Sequence, residues 1–439
     1  MKEILAKIIF ILFDTGMIFL SVILAFGLRG LFDTALTVHT IPLETYCSFY
    51  PLYIITIILF AYEGIYTYRY DFWHESRLII KALFFSALLV FAYLAMTKSI
   101  EDYSRLVIGF AFLFMAFLIP LEKNISKKLL RKWGLWRKRA AIYGDDPFLT
   151  AEIYGNPYLG YVRPKPDQEP DTVFINSKGS NPEQLKTLLS SQIKEKHEVI
   201  FVPLMDDYDL THSHIYELAN TRTNLIVYQN RLKSKYRRIL QQSFNALLAL
   251  LLLPLLLPLI ALFAILIKRE SPGSVFYAHD RVGQDGKTIP VLKFRSMYAD
   301  AKERLDKMLA SDPAIKEEWE KNFKLKDDPR ITKIGAFLRK TSLDELPQIF
   351  NVLKGEMNFV GPRPVVEEEI ERYYKEDAQY YFMVKPGITG LWQVSGRSDT
   401  DYDYRIATDK WYVSNWSLWL DIVILFKTVK TVLKRDGAY

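Results

Sequence analysis

The sequence predicts a mixed membrane protein in three parts: a bundle of four transmembrane helices (residues 1–122), a small Rossmann-like α/β domain (136–232), and a mainly helical C-terminal domain (233–439). The last part opens with a re-entrant membrane helix at about 244–267 and carries interfacial amphipathic helices. Three observations predict this division. Long apolar windows fill the first third of the chain and recur once, near residue 250. Short β-rich runs alternate with helix-like stretches between 139 and 230. From 270 onward the chain is basic, aromatic and punctuated by glycine and proline. Half of the 439 residues are hydrophobic and 24% are charged, and the two kinds are segregated, which excludes a plain soluble globule.

The apolar windows 8–27, 48–66, 79–96 and 106–121 are close to the length that a helix needs to cross the hydrocarbon layer. The first begins like a signal peptide, with Lys2 and Lys7, but it contains Asp14, lacks a small-residue cleavage site and leads into further spans, so it reads as retained. Asp14 is unusual for a span and either pairs within the bundle or sits near the interface, a structural role being favoured over a functional one. After the fourth window come Lys123, Lys127, Lys128, Arg131, Lys132, Arg137, Lys138 and Arg139, which place that end in the cytoplasm. The N-terminus is then cytoplasmic too. The net charge of +7 thus has a membrane explanation, and nucleic acid is not expected as a partner. Cys47, the one cysteine, excludes an intramolecular disulfide and a cysteine-based metal site.

Arg139–Gly144, Thr172–Ile175, Glu198–Val202 and Asn224–Tyr228 read as buried strands, with a helix at 182–196 between them. Gly144-Asp-Asp-Pro147 gives one glycine and two acids where a nucleotide site wants a glycine-rich turn, so a regulatory or assembly role is favoured over cofactor binding. Phe244–Ile267 carries no charge and is long enough to span. Pro254 and Pro258 interrupt it, and Lys233, Lys235, Arg237 and Arg238 before it and Lys268 and Arg269 after it draw both ends to one side. A helix that enters, bends at the prolines and returns satisfies these features; a Pro-kinked span is the alternative. Trp411, Tyr412, Trp416 and Trp419 followed by the Lys-flanked apolar stretch 420–434 suit an interfacial helix, or else a core helix with surface lysines.

Asp344-Glu345 in Thr341-Ser-Leu-Asp-Glu-Leu-Pro-Gln348 is the acidic pair singled out. Pro347 is tolerated only in a first turn, so the helix running toward Gly355 is predicted to begin beside the two carboxylates. Acids there complement the helix dipole, and Ser342-x-x-Glu345 has the form of a capping box. The surroundings favour chemistry instead. Arg281, Lys293, Arg295, Arg330, Arg339, Arg363, Lys385 and Arg397 recur in the loops around it. Guanidinium groups grip phosphate oxygens, and two acids can hold Mg2+ against a diphosphate or attack phosphorus directly. Binding of anionic lipid is the alternative for the cations.

Lys293-Phe-Arg-Ser-Met297, Asp328-Pro-Arg-Ile-Thr332, Arg339–Gln348, Asn351–Gly355, Val360-Gly-Pro-Arg-Pro364, Lys385–Gly390 and Gln393-Val-Ser-Gly-Arg397 together resemble the bacterial sugar transferase family, the monotopic phosphoglycosyl transferases, over about 230–439. The front half resembles the large-membrane subclass, and the ending Lys434–Tyr439 is similar to undecaprenyl-phosphate galactose phosphotransferases. The resemblance implies transfer of a sugar 1-phosphate from a UDP-sugar to undecaprenyl phosphate, with release of UMP, on the cytoplasmic face of a bacterial inner membrane. It makes Asp344 the nucleophile and Glu345 its neighbour at a Mg2+ site. By the same comparison Lys293, Arg295, Arg330, Arg339, Arg363 and Arg397 hold phosphate or nucleotide. A homodimer through the front half is expected. Two departures stand out: Gln241-Gln-Ser-Phe-Asn245 replaces the family's Lys-Arg-x-Phe-Asp opening, and Leu257-Pro258 its Ser-Pro bend. A non-catalytic scaffold or sensor of nucleotide sugars is a second reading, and a transporter a third that lacks internal symmetry.

Overall fold

The computed structural model describes residues 2–31, 41–144, 146–177, 181–196, 198–203, 214–218, 223–227, 232, 234–311, 328–395 and 401–434. Arg397 and the ending after Lys434 lie outside the described residues. The chain divides into two compact units, Met1–Asp209 and Leu210–Tyr439.

The first unit begins with α1 (Lys2–Gly30), a short α2 (Leu43–Cys47), α3 (Tyr50–Tyr62), α4 (Phe72–Met96) and α5 (Arg105–Lys132). Lys2–Gly30, Leu43–Tyr62, Phe72–Met96 and Arg105–Lys132 are long and apolar enough to cross a membrane. They share one core, in which Phe10, Ile18, Phe60, Ile79, Val90 and Met115 are buried. The opposite faces leave Leu12, Ile58, Phe84, Leu88, Leu113 and Phe117 exposed, as expected where lipid rather than water is the solvent. Asp14 takes the structural alternative: it is fully buried, Lys123 Nζ lies 2.8 Å from Oδ2 and the Tyr66 hydroxyl donates to the same oxygen at 2.6 Å. Glu75 and Lys127 form a second buried pair.

The same unit continues into a parallel sheet of β1 (Lys138–Tyr143), β2 (Tyr161–Val162), β3 (Thr172–Asn176) and β4 (Glu198–Val202), in the order β2-β1-β3-β4. α6 (Pro147–Gly155) and α7 (Pro182–Glu195) connect its strands. Central β3 is buried throughout, which suits the unbroken Thr-Val-Phe-Ile run of a strand covered on both faces. The expected fourth strand does not join this sheet. β6 (Thr223–Val227) pairs antiparallel with β5 (His214–Leu218) in the second unit, because the few residues between them are too few for a parallel crossover.

In the second unit α8 (Lys235–Glu270) is helical throughout, so Pro254 and Pro258 leave no break in helical structure. Its middle is mostly exposed, whereas Gln241, Asn245 and Ala249 toward one end and Ile260, Phe263 and Ile267 toward the other are buried. β7 (Phe276–Val282) and β8 (Thr288–Phe294) form an antiparallel hairpin that the mainly helical expectation omits. Its turn holds Asp285 and Gly286 at φ of 58° and 72°, the backbone that an Asp-Gly pair favours. Further along lie α9 (Ala301–Ser311), α10 (Lys333–Thr341), α11 (Gln348–Leu353), the parallel pair β9 (Asn358–Val360) and β10 (Gly387–Thr389), α12 (Tyr402–Ser414) and α13 (Leu418–Lys434). Tyr412 and Trp416 are core residues rather than interfacial anchors: each is 1% exposed, and both hydrogen-bond to Asp421, at 2.7 and 3.0 Å. Their polar tips are satisfied inside the protein, so they need no headgroup layer.

Candidate active site

The acidic pair sits on a turn between two helices. α10 packs tightly, since a Cβ on Gly335 would lie 2.0 Å from the Ser296 carbonyl oxygen, and only glycine permits that approach. Thr332 caps its first turn by accepting from the Gly335 amide at 2.9 Å. α10 ends at Ser342, which adopts a left-handed conformation at φ 55°. Leu343-Asp344-Glu345 then form one 3₁₀ turn, and α11 starts only at Gln348. The predicted capping box is therefore absent, because a Ser342 turned into the left-handed region closes one helix instead of opening the next and makes no side-chain cap. The carboxylates precede α11 by a turn of their own.

Lys293, near the end of β8, joins them. Its ammonium lies 2.8 Å from Glu345 Oε1 and 3.9 Å from Asp344 Oδ2. Asn351 holds the strand that carries it: its Oδ1 accepts from the Leu292 amide at 3.0 Å and its Nδ2 donates to the Pro290 carbonyl at 2.7 Å. Arg363 brings a second cation, with Nη2 4.0 Å from Glu345 Oε1 and 42% of its side chain exposed. The Gly361-Pro-Arg-Pro364 loop is anchored by two backbone hydrogen bonds of 2.9 Å, Gly361 to Thr389 and Gly387 to Pro362. Arg339 donates through Nε to the Ser296 hydroxyl at 2.8 Å, and its charge is felt at Asp344.

Of the other predicted cations, Arg295 and Arg330 hold nearby protein groups, and Arg397 lies outside the described residues. Arg295 closes the end of α8, donating to the carbonyls of Ser271 and Pro272 at 2.6 and 2.7 Å. Arg330 grips Asp328 with two donors, at 2.8 and 2.6 Å. Sequence reasoning missed His279 and Glu369: Arg281 meets His279 Nδ1 at 3.1 Å and Glu369 Oε1 at 3.5 Å. The alternation of Tyr277, His279 and Arg281 ahead of an Asp-Gly turn was the available signal.

Burial pushes the Asp344 carboxyl above the usual carboxylate range; Lys293 and Arg339 pull it down, and Glu345 adds to the rise. Desolvation outweighs the two cations in setting the direction of this shift. A raised carboxylate beside partly exposed cations is arranged for chemistry more than for cohesion. Two adjacent carboxylates fit Mg2+, which takes one or two protein carboxylates and completes its shell with substrate oxygens and water. Among the described residues no group of three or more His, Cys, Asp or Glu gathers that could hold a metal on its own.

Residues 236–435 match the family model described as bacterial sugar transferase. The chain is 41% identical over 404 residues to the undecaprenyl-phosphate galactose phosphotransferase of Salmonella typhimurium, across 85% of this chain and 84% of that protein. It is 32% identical over 351 residues, 72% of each chain, to the UDP-glucose:undecaprenyl-phosphate glucose-1-phosphate transferase of Escherichia coli. The exopolysaccharide production protein ExoY of Sinorhizobium fredii is 49% identical over 201 residues, which cover 46% of this chain and 88% of that one. Since the Salmonella relative matches more than four-fifths of both chains, this protein is a transferase that belongs to the bacterial sugar transferase family.

Proposed function

We propose that the enzyme transfers a sugar 1-phosphate, galactose 1-phosphate first among the candidates, from a UDP-sugar to undecaprenyl phosphate. The lipid-linked product begins an O-antigen, capsule or exopolysaccharide. The observation that carries this reading is the acid pair held by Lys293 with Arg363 beside it. An Asp344 oxygen forms a bond to the sugar-bearing phosphorus as the bond from that phosphorus to the bridging oxygen breaks, and UMP leaves with the electron pair. An oxygen of undecaprenyl phosphate then attacks the same phosphorus and frees Asp344. Lys293 and Arg363 draw charge from the diphosphate oxygens, and Arg339 steadies Asp344. Mg2+ held by Asp344 and Glu345 would neutralise further diphosphate charge. The galactose assignment follows the Salmonella relative, and glucose follows the Escherichia coli one.

The membrane arrangement belongs to the same proposal. Residues on both sides of the two prolines reach the same unit: Asn245 accepts from the Phe359 amide at 2.6 Å, and Glu270, the last residue of α8, accepts from the Lys333 and Ile334 amides at 2.7 and 2.9 Å. This supports re-entry, with the second unit on the cytoplasmic face. The departures in its opening fit too, because Gln241 and Asn245 are buried polar residues there. Single cysteines at 235 and 275 in a Cys47→Ser background should label from the same side, and labelling from opposite sides would refute re-entry. A homodimer through the front half is part of the proposal, and light scattering of the full chain in detergent tests it.

The chemical test is a half-reaction. With UDP-galactose and Mg2+ but no lipid phosphate, the full chain should release up to about one UMP per active site and gain the mass of a phosphosugar on Asp344. UMP release that requires lipid phosphate from the first turnover would overturn the covalent step.

A further inference from the structure

Arg281 contacts His279 Nδ1 at 3.1 Å through Nη2, while its Nη1 lies 3.5 Å from Glu369 Oε1. A guanidinium has donors and no acceptor, so the ring nitrogen that it meets carries a lone pair. That assigns the tautomer. The imidazole is neutral, its one proton is on Nε2, and Glu369 in turn steadies the arginine that selects this form. Burial and the charges of Arg281 and Lys293 all hold the ring below the usual histidine value, with Asp280 opposing them.

The hairpin places this donor. Tyr277, His279 and Arg281 alternate along β7 and so share one face. The register sets Tyr277 opposite Lys293 and His279 opposite Val291. His279 therefore lies on the face that carries Lys293, as its diagonal neighbour, at a separation of about 7–8 Å between Cα atoms and somewhat less between Cβ atoms. Lys293 is the ammonium that reaches both carboxylates.

We propose that His279 is a substrate-binding residue, whose Nε2–H donates to a phosphate oxygen of the nucleotide-sugar diphosphate, and that Arg281 is the positioning residue that fixes its tautomer. The proposal rests on the reading of Asp344-Glu345 as the centre of sugar-phosphate transfer. A neutral donor suits this place. It adds a directional hydrogen bond to an anion that already faces Lys293 and Arg363, and it does not compete with those cations for the carboxylates.

The test uses the full chain in detergent, with whichever of UDP-galactose, UDP-glucose and UDP-N-acetylgalactosamine the parent turns over fastest, and with undecaprenyl phosphate as acceptor. His279→Ala should raise KM for the UDP-sugar about 10- to 100-fold, the loss of one hydrogen bond to an anion, with kcat changed less than about threefold. His279→Gln offers an amide N–H of similar reach and should restore KM to within about threefold of the parent. His279→Phe, which keeps the ring but no donor, should behave as alanine does. A purely structural histidine predicts the reverse order, with phenylalanine the better replacement. Parent-like KM in His279→Ala, or glutamine no better than phenylalanine, overturns the proposal while leaving the transferase reading intact. If alanine yields no folded protein, the comparison of glutamine with phenylalanine decides. A parent that releases UMP from none of the three sugars would overturn both.

Discussion

The two units bury charge in different ways. In the first, Asp14 with Lys123 and Glu75 with Lys127 are closed pairs, every side chain at 0–1% exposure. In the second, one ammonium is shared between two carboxylates and all three remain partly open, Lys293 at 29%, Asp344 at 16% and Glu345 at 20%. A closed pair is shut off from solvent, and removing either member strands its partner. The open cluster is not closed off in this way: desolvation raises Asp344, and Lys293 and Arg363 keep part of their side chains exposed. Charge paired out of reach of solvent holds a fold together, whereas charge left partly exposed and partly compensated is suited to meet a substrate.

Asp344→Asn breaks this comparison most directly. It keeps the shape, removes the attacking anion and should lower transfer by 1,000-fold or more, on the order of 4 kcal/mol in the barrier. The melting temperature in detergent should stay level or rise, because a desolvated carboxylate is replaced by an amide. Parent-like transfer would return the nucleophile's role to the lipid phosphate. The parent should also lose activity on the acid side at a pH above the ordinary aspartate value of about 3.9, since the raised carboxyl must lose its proton to attack.

Lys127→Met is the counterpart in the first unit. It strands the Glu75 carboxylate, and Lys127 also sits over the Tyr158 ring at 4.2 Å. The expected loss is about 3–5 kcal/mol, read as a large fall in melting temperature, with specific activity of the surviving folded protein within about twofold of the parent. Pairing it with Glu75→Leu should recover much of the stability. A stable Lys127→Met protein with lost transfer would mean that the closed pair belongs to the chemistry after all.

How much of this was legible follows from distance along the chain. The apolar windows, the parallel strands 138–143, 172–176 and 198–202, and the Asp344-Glu345 pair were readable because each is a local pattern of composition. Lys293 was named as one cation among eight, and nothing local singled it out, because its partner Glu345 lies 52 residues away. The capping box failed because the left-handed turn at Ser342 depends on α10, which ends there. Tyr412 and Trp416 stay open in sequence between membrane anchors and core residues, because their partner Asp421 looks there like a stray charge in an apolar run. Only the fold shows that all three are buried together.

That buried acid gives the smallest effect and the finest test of the comparison, because Asp421 is a carboxylate closed off without an ammonium in hydrogen-bonding contact. Burial pushes it up to about 7, and the hydrogen bonds from Tyr412 and Trp416 only partly oppose the shift. Asp409, which accepts from Tyr374 at 2.7 Å, is pushed to about 6, with Arg405 acting against burial. Both native values stand above the unfolded value of about 3.9, so the native state holds its protons more tightly. The stability they contribute is complete below pH ~4 and is lost as pH rises toward 6 for Asp409 and 7 for Asp421. Asp421→Asn retains an acceptor for Tyr412 or Trp416 and cannot ionise. Its stability relative to the parent should therefore increase between about pH 5.5 and 8, by on the order of 2 kcal/mol. Melting curves of both proteins at four or five pH values measure this difference, in which all other titrating groups cancel. Parallel curves would mean that Asp421 ionises freely in the fold, and that hydrogen bonds alone compensate its charge as fully as the lysines compensate Asp14 and Glu75.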